Sequence, residues 1–143
     1  MIFWDASAII PLCIEEPRTK LVKDILKKDK AMVVWWGSLV ECYSAFARLR
    51  RDGFLTSHEE DQIRRLFAIL FETWTEIEPS EDVRLTAGRL LLLHPLRAAD
   101  SLQLAAALIW ADKTPRGHNF ICFDSRLRLA ARNEGFSLLP NEI

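Results

Sequence analysis

The chain has no CxxC pair, no long apolar run and no excess of positive charge, and each absence narrows what it can be. Its three cysteines, Cys13, Cys42 and Cys122, are odd in number and have apolar neighbours. That pattern fits buried reduced thiols rather than disulfides or zinc ligands. The histidines, His58, His94 and His118, are scattered and match no zinc spacing. The longest apolar run, Leu104 to Ala111, is far short of the roughly 20 residues that span a bilayer. The apolar opening, Met1 to Ile14, lacks a basic leader, is interrupted by Asp5 and runs straight into Glu15-Glu16, so it does not read as a secretion signal. A cytoplasmic protein without a membrane anchor is expected. With 19 basic and 20 acidic side chains, the net charge is −1, which argues against a chain held on nucleic acid by bulk positive charge. No repeat, Gly/Ser tract or Pro-rich linker divides the sequence, and 50% hydrophobic with 27% charged residues is an ordinary globular composition. One domain over residues 1–143 is the expectation.

What is present is an alternation of short apolar strands and helices. Ile2-Phe3-Trp4 reads as a buried strand ending at Asp5, followed by a helix over 6–14 in which Pro11 forces a kink or a late start. Pro17 suits the first turn of a helix running to Lys28. Met32 to Trp35 is a second strand, and Ser38 opens a helix that Gly53 stops. Thr56 and Glu59 form a capping box ahead of a helix whose apolar face runs from Ile63 to Trp74. A short strand is predicted over 75–78, a helix from the Ser80 cap to Leu93, and another from Arg97 or Ala98 to Asp112. A strand over 120–123 ends at Asp124, a helix covers 127–133 with Gly135 as its stop, and 136–139 is the last strand. This alternation indicates an α/β fold with a mostly parallel central sheet flanked by helices. Such sheets bind ligands beyond the carboxyl ends of their strands, so strand-terminal residues are the ones to inspect.

Two strands end in an aspartate, Asp5 and Asp124, and parallel strands would bring both to one edge. Glu41 lies one turn into the helix after the second strand, and Asp100 lies in the first turn of the helix before the last aspartate's strand. Each acid has a plain alternative. Asp5 and Asp124 are placed as N-caps, Ser38-x-x-Glu41 has the form of a capping box, and Asp100 complements a helix dipole. Capping leaves unexplained why Asp100 leads into the very apolar Leu102 to Trp110. Clustered carboxylates repel one another, and hard divalent ions such as Mg²⁺ and Mn²⁺ take oxygen ligands of this kind. Setting those four aside leaves 16 acids against 19 bases, a net +3, so a metal-loaded site would present a mildly cationic protein to a polyanion. The remaining acids Glu15, Glu16, Glu59, Glu60 and Asp61 are expected to be solvated or dipole-related.

The acids sit in the stretches Asp5-Ala6-Ser7, Ser38-x-x-Glu41, Leu96-Arg97-Ala98-Ala99-Asp100-Ser101-Leu102-Gln103-Leu104-Ala105, and Phe123-Asp124-Ser125-Arg126-Leu127 with Ala130-Ala131 and Gly135. In these stretches, and in their order and spacing over the whole chain, the sequence resembles the PIN-domain nucleases, specifically the VapC-type ribonuclease toxins of prokaryotic toxin–antitoxin pairs. The resemblance implies a PIN-like domain in which Asp5, Glu41, Asp100 and Asp124 bind Mg²⁺ or Mn²⁺, with Ser7 beside them. It implies a water attacking an RNA phosphodiester, a homodimer, and a cognate antitoxin whose tail covers the site. Two features depart from the pattern. Cys122 stands where many relatives carry a small polar residue, and Trp35-Trp36 is bulky for the edge of the cleft.

Trp35 is read as core or dimer contact, and Trp36 as a platform for a base or an antitoxin side chain. Arg48, seven residues after Glu41, and Arg97, one turn before Asp100, are candidate RNA contacts, with Lys113, Arg116 and His118 in a polar loop beyond them. The Ile63 to Trp74 face suits either the core or a partner helix. Alternatives are an RNA-processing PIN nuclease outside a toxin–antitoxin pair, a non-cleaving RNA- or protein-binding scaffold, and phosphoryl transfer through Asp5. The last lacks the second aspartate two residues on that one phosphatase family shows.

Overall fold

In the computed structural model, which describes residues 1–142, Ile2–Trp4 forms strand β1. Ile2 and Trp4 pack to one side of it and Phe3 to the other. Both faces are covered, which is why the strand is apolar throughout rather than alternating. Along the chain follow helix α1 (Ala6–Cys13), α2 (Thr19–Lys28), strand β2 (Met32–Trp35), α3 (Ser38–Arg51), α4 (Ser57–Phe71) and β3 (Thr75–Ile77). Then come α5 (Glu81–Leu93), α6 (Ala98–Trp110), β4 (Asn119–Ile121), α7 (Ser125–Glu134) and β5 (Ser137–Leu139). The strands pair in the order β3-β2-β1-β4-β5, all parallel, with Trp4 beside Val34 on one side and Ile121 on the other. This is the predicted α/β architecture.

Two cores sandwich the sheet. On one face Ile2, Trp4, Met32 and Val34 meet Ile9 of α1, Val22 of α2, Phe46 of α3 and Phe67 of α4. On the other, Phe3, Val33, Trp35 and Phe120 meet α5, α6 and α7 through Leu90, Leu104 and Leu127. Trp35 is core, as expected. Phe67 is the hub of an aromatic group, with ring centroids 5.4 Å from Tyr43 and Phe46, 5.5 Å from Phe71 and 5.6 Å from Trp74.

Several local expectations change. Pro17 lies two residues ahead of α2, with Arg18 as its N-cap. Pro11 sits inside α1, which starts directly after Asp5 and ends two residues beyond the proline. β4 stops at Ile121 because that residue pairs with Trp4, the last of β1, and Asp5 N–H donates to its carbonyl at 3.1 Å. Asp124 therefore lies three residues past the ladder. Glu60 is not a solvated charge: it is buried, with Arg50 Nε at 3.1 Å and Arg64 Nε at 3.8 Å. Gly135 ends α7 in the left-handed region at φ 115°, the conformation for which glycine is suited. Among the described residues, no helix is long and apolar enough to cross a membrane.

Candidate active site

The chain runs β1-β2-β3 towards one edge of the sheet and then crosses to β4-β5 on the other side of β1. A crevice forms where the order reverses, at the carboxyl ends of β1 and β4. Asp5 follows β1 directly and is only 5% exposed. It does cap α1, accepting from the Ser7 backbone N–H at 3.1 Å. The same oxygen, Oδ2, accepts from Ser7 Oγ at 2.5 Å and from Cys122 Sγ at 3.7 Å. None of these bonds uses Oδ1. Ser7 Oγ in turn accepts from the Phe123 N–H at 3.0 Å, tying α1 to the segment between β4 and Asp124. Cys122 thus supplies a weak donor at the position where the sequence departs from the pattern it resembles.

Glu41 projects from the first turn of α3. The capping-box alternative fails here: Gly37 is the N-cap, Ser38 is already helical, and no side chain caps this end. Ser38 and Glu41 are instead joined through Gln103 of α6, whose Nε2 lies 2.6 Å from Ser38 Oγ and 2.9 Å from Glu41 Oε1. The amide NH₂ faces Glu41 and donates to its carboxyl oxygen. Gln103 Oε1 is buried without a hydrogen-bond partner among the described residues. Gln103 stands in the Leu96 to Ala105 stretch that carries the resemblance, but no role was expected of it. The available signal was that it is the one polar residue in Leu102 to Trp110, three positions after Asp100 and so on the same helix face.

The four acids line one cleft of about 480 Å³, together with Ser7, Val40, Ser44 and Arg48. Their charges act on one another. Burial, and secondarily Asp100, raises the Asp5 carboxyl, against the opposing Ser7 bonds. Burial and then Asp5 push Glu41 up to about 7, opposed by Gln103. Burial and then Asp124 raise Asp100, while Arg97 and Arg126 pull it down. Asp124 is exposed and caps α7, accepting from Leu127 N–H at 2.9 Å. Capping and cleft-lining are therefore compatible for Asp5 and Asp124.

Of the cations, Arg48 lines the cleft, whereas Arg97 is the exposed N-cap of α6 outside its lining. The 113–118 loop precedes β4 and so lies at the amino ends of the strands, opposite the cleft. There Lys113 pairs with Asp82 at 3.0 Å and His118 packs edge-on to Trp110. Trp36 is 50% exposed and lines a separate hollow, with Val40 shared between the two.

No family model matches the chain. Over 143 residues it is 27% identical to Ribonuclease VapC45 of Mycobacterium tuberculosis (strain CDC 1551 / Oshkosh), covering all of this chain and 97% of that protein. The same figures hold for Ribonuclease VapC49 of M. tuberculosis (strain ATCC 25618 / H37Rv). Among solved structures, FitAcB from Neisseria gonorrhoeae superposes with a TM-score of 0.70 at 14% identity, over 99% of this chain and 98% of that one. M. tuberculosis VapC20, described as a sarcin–ricin loop cleaving toxin, gives 0.66 at 18% identity over 91% and 95% of the two chains. The chain has the VapC-type PIN fold. A toxin–antitoxin complex from Klebsiella pneumoniae shares it, with a TM-score of 0.61 at 16% identity over 88% of each chain.

On this VapC-type fold, the donor set of the cleft fits a hard divalent ion: its ionisable lining groups are four carboxylates and one arginine, with no imidazole or thiol among them. As they stand, no three acid, histidine or cysteine side chains among the described residues converge as one ion's ligands. The fit is one of donor chemistry and shared cleft.

Proposed function

We propose that this protein is the ribonuclease toxin of a toxin–antitoxin pair, an endoribonuclease that hydrolyses RNA phosphodiesters with Mg²⁺ or Mn²⁺, with residues 1–143 acting as one nuclease domain. The observation that carries the reading is that carboxylates from four separate parts of the chain line one cleft at the switch point of a VapC-type fold. The curated relatives bearing ribonuclease names align along this whole chain.

Asp5, Glu41, Asp100 and Asp124 would hold the ion. When bound, it would supply positive charge for the phosphodiester and lower the pKa of a water molecule. The chain's own residues set the geometry. Ser7 and Cys122 occupy Asp5 Oδ2 and leave Oδ1 for the cleft. Gln103 fixes Glu41 from behind. Arg48 offers a cation to a neighbouring phosphate, Arg97 lends longer-range positive charge at Asp100, and Trp36 offers an exposed ring to an RNA base.

A homodimer, a cognate antitoxin and a cytoplasmic location complete the proposal. The leucines that α5 leaves in solvent, Leu85, Leu91, Leu92 and Leu93, support a protein contact on that side. The test is cleavage of total cellular RNA with Mg²⁺, with chelator, and by Asp5→Asn and Asp100→Asn. Cleavage is expected from the wild type with metal alone; undiminished cleavage by both variants overturns the proposal.

A further inference from the structure

The hollow beside the acid cleft has a chemistry of its own. It measures about 280 Å³ and is lined by Trp36, Leu39, Val40, Phe71, Trp74 and Glu76. Val40, next to Glu41, also forms part of the wall of the acid cleft. An RNA strand engaged with the carboxylates therefore has a neighbouring nucleotide within reach of this hollow.

Three of its six lining residues, Trp36, Phe71 and Trp74, are aromatic. The Trp36 backbone N–H extends the β2–β3 ladder to the Ile77 carbonyl at 3.1 Å, and its ring stands edge-on to buried Trp35 with centroids 6.5 Å apart. Phe71 and Trp74 lie 6.0 Å apart. Trp36, 50% exposed, offers a ring face on which any base can stack, while the largely buried Trp74 closes the floor. The single charged group, Glu76, adds selectivity. Trp74 Nε1 donates to its Oε2 at 3.1 Å, which fixes the carboxylate in place. A carboxylate only accepts hydrogen bonds. Among the four bases, guanine alone offers two adjacent donors on its pairing edge, N1–H and N2–H. Adenine and cytosine set one amino group beside an acceptor nitrogen, and uracil flanks one N–H with two carbonyls. An apolar side chain from a protein would satisfy the walls but leave Glu76 desolvated and without a donor.

We propose that the Trp36–Phe71–Trp74–Glu76 hollow is a subsite for an unpaired guanine base, which selects the nucleotide beside the cleaved bond. The positional part of this proposal rests on the ribonuclease reading; base recognition is measured without it. Guanosine, adenosine, cytidine and uridine monophosphates are titrated into the full-length protein while the indole N–H signals are followed by NMR. The expected result is that the guanine nucleotide moves the Trp36 and Trp74 signals and saturates at roughly tenfold lower concentration than the others. Glu76→Gln, which keeps an acceptor for Trp74, should remove that preference, and Trp36→Ala should weaken all four nucleotides together. Equal response to all four, no response, or a guanine preference that survives Glu76→Gln overturns the subsite. So does an apolar helical peptide that fills the hollow where the guanine nucleotide does not. RNA cleavage measured on the same wild-type sample separates the two proposals. Cleavage without guanine binding removes the subsite alone, whereas guanine-selective binding without any metal-dependent cleavage removes the ribonuclease reading and its positional corollary.

Discussion

Replacing Glu41 with glutamine should make the metal-free protein more stable at high pH. In the folded chain, burial and the neighbouring Asp5 raise the Glu41 carboxyl from its ordinary 4.5 to about 7. Between those values the folded state binds a proton that the unfolded state has released, so stability drains away as pH rises through about 7. A rise of that size corresponds to about 3 kcal/mol. Glu41 is only half-buried, and solvent screening reduces the expected penalty to about 1–2 kcal/mol. Glutamine removes the charge, keeps an acceptor for Gln103 Nε2, and ends the repulsion with Asp5 and Asp100. Urea denaturation with chelator should show Glu41→Gln more stable than wild type by about 1–2 kcal/mol at pH 8, and within about 0.5 kcal/mol of it at pH 4. Saturating Mg²⁺ at pH 8 should reverse the order, because binding stabilises the wild type by about 3 kcal/mol at a hundredfold excess over Kd. Equal gains at both pH values, or a loss at pH 8 without metal, would refute the reasoning.

Gln103→Leu removes the bridge from α6 to Ser38 and Glu41, along with a buried oxygen that has no partner. The fold should survive within about 1 kcal/mol, while half-maximal activity should need roughly tenfold more Mg²⁺, read from the metal dependence of RNA cleavage. Ser7→Ala leaves the Phe123 N–H unpaired and takes a donor from Asp5. Chemical denaturation should register a loss of about 1–3 kcal/mol, and the apparent metal affinity should fall. Phe67→Ala empties the centre of the aromatic group that joins α3 to α4 and should cost about 3–5 kcal/mol by urea titration.

The alternation of apolar strands with capped helices was enough to read the α/β order, because both faces of a parallel sheet are buried and its strands become continuous apolar runs. Asp5 and Asp124 stood out for the same reason, as charges at the ends of apolar runs, whereas joining them with Glu41 and Asp100 into one candidate site came from the family resemblance. What the sequence concealed depends on contacts between distant segments. Gln103 looked like one residue in an alanine-rich helix, yet its amide reaches α3. Glu60 looked like a first-turn acid until the fold brought Arg50 against it. Arg128 gave no signal either, although its guanidinium bonds the Cys122 carbonyl at 2.8 Å and the Leu139 carbonyl at 3.2 Å, fastening the β5 end to the segment that leads to Asp124. The ranking of Arg48, Arg97 and the 113–118 loop likewise needed the topology, which puts Arg48 on the cleft wall and the loop at the amino ends of the strands.

The central claim is that the four carboxylates act together as one divalent-cation site. Isothermal titration of Mn²⁺ and Mg²⁺ into chelator-treated protein tests it most directly, on the wild type and on Asp5→Asn and Asp100→Asn, each checked for native circular dichroism. Saturable binding by the wild type that falls at least tenfold in both folded variants is the expected result. No binding by the wild type, or binding unchanged in both variants, would contradict it.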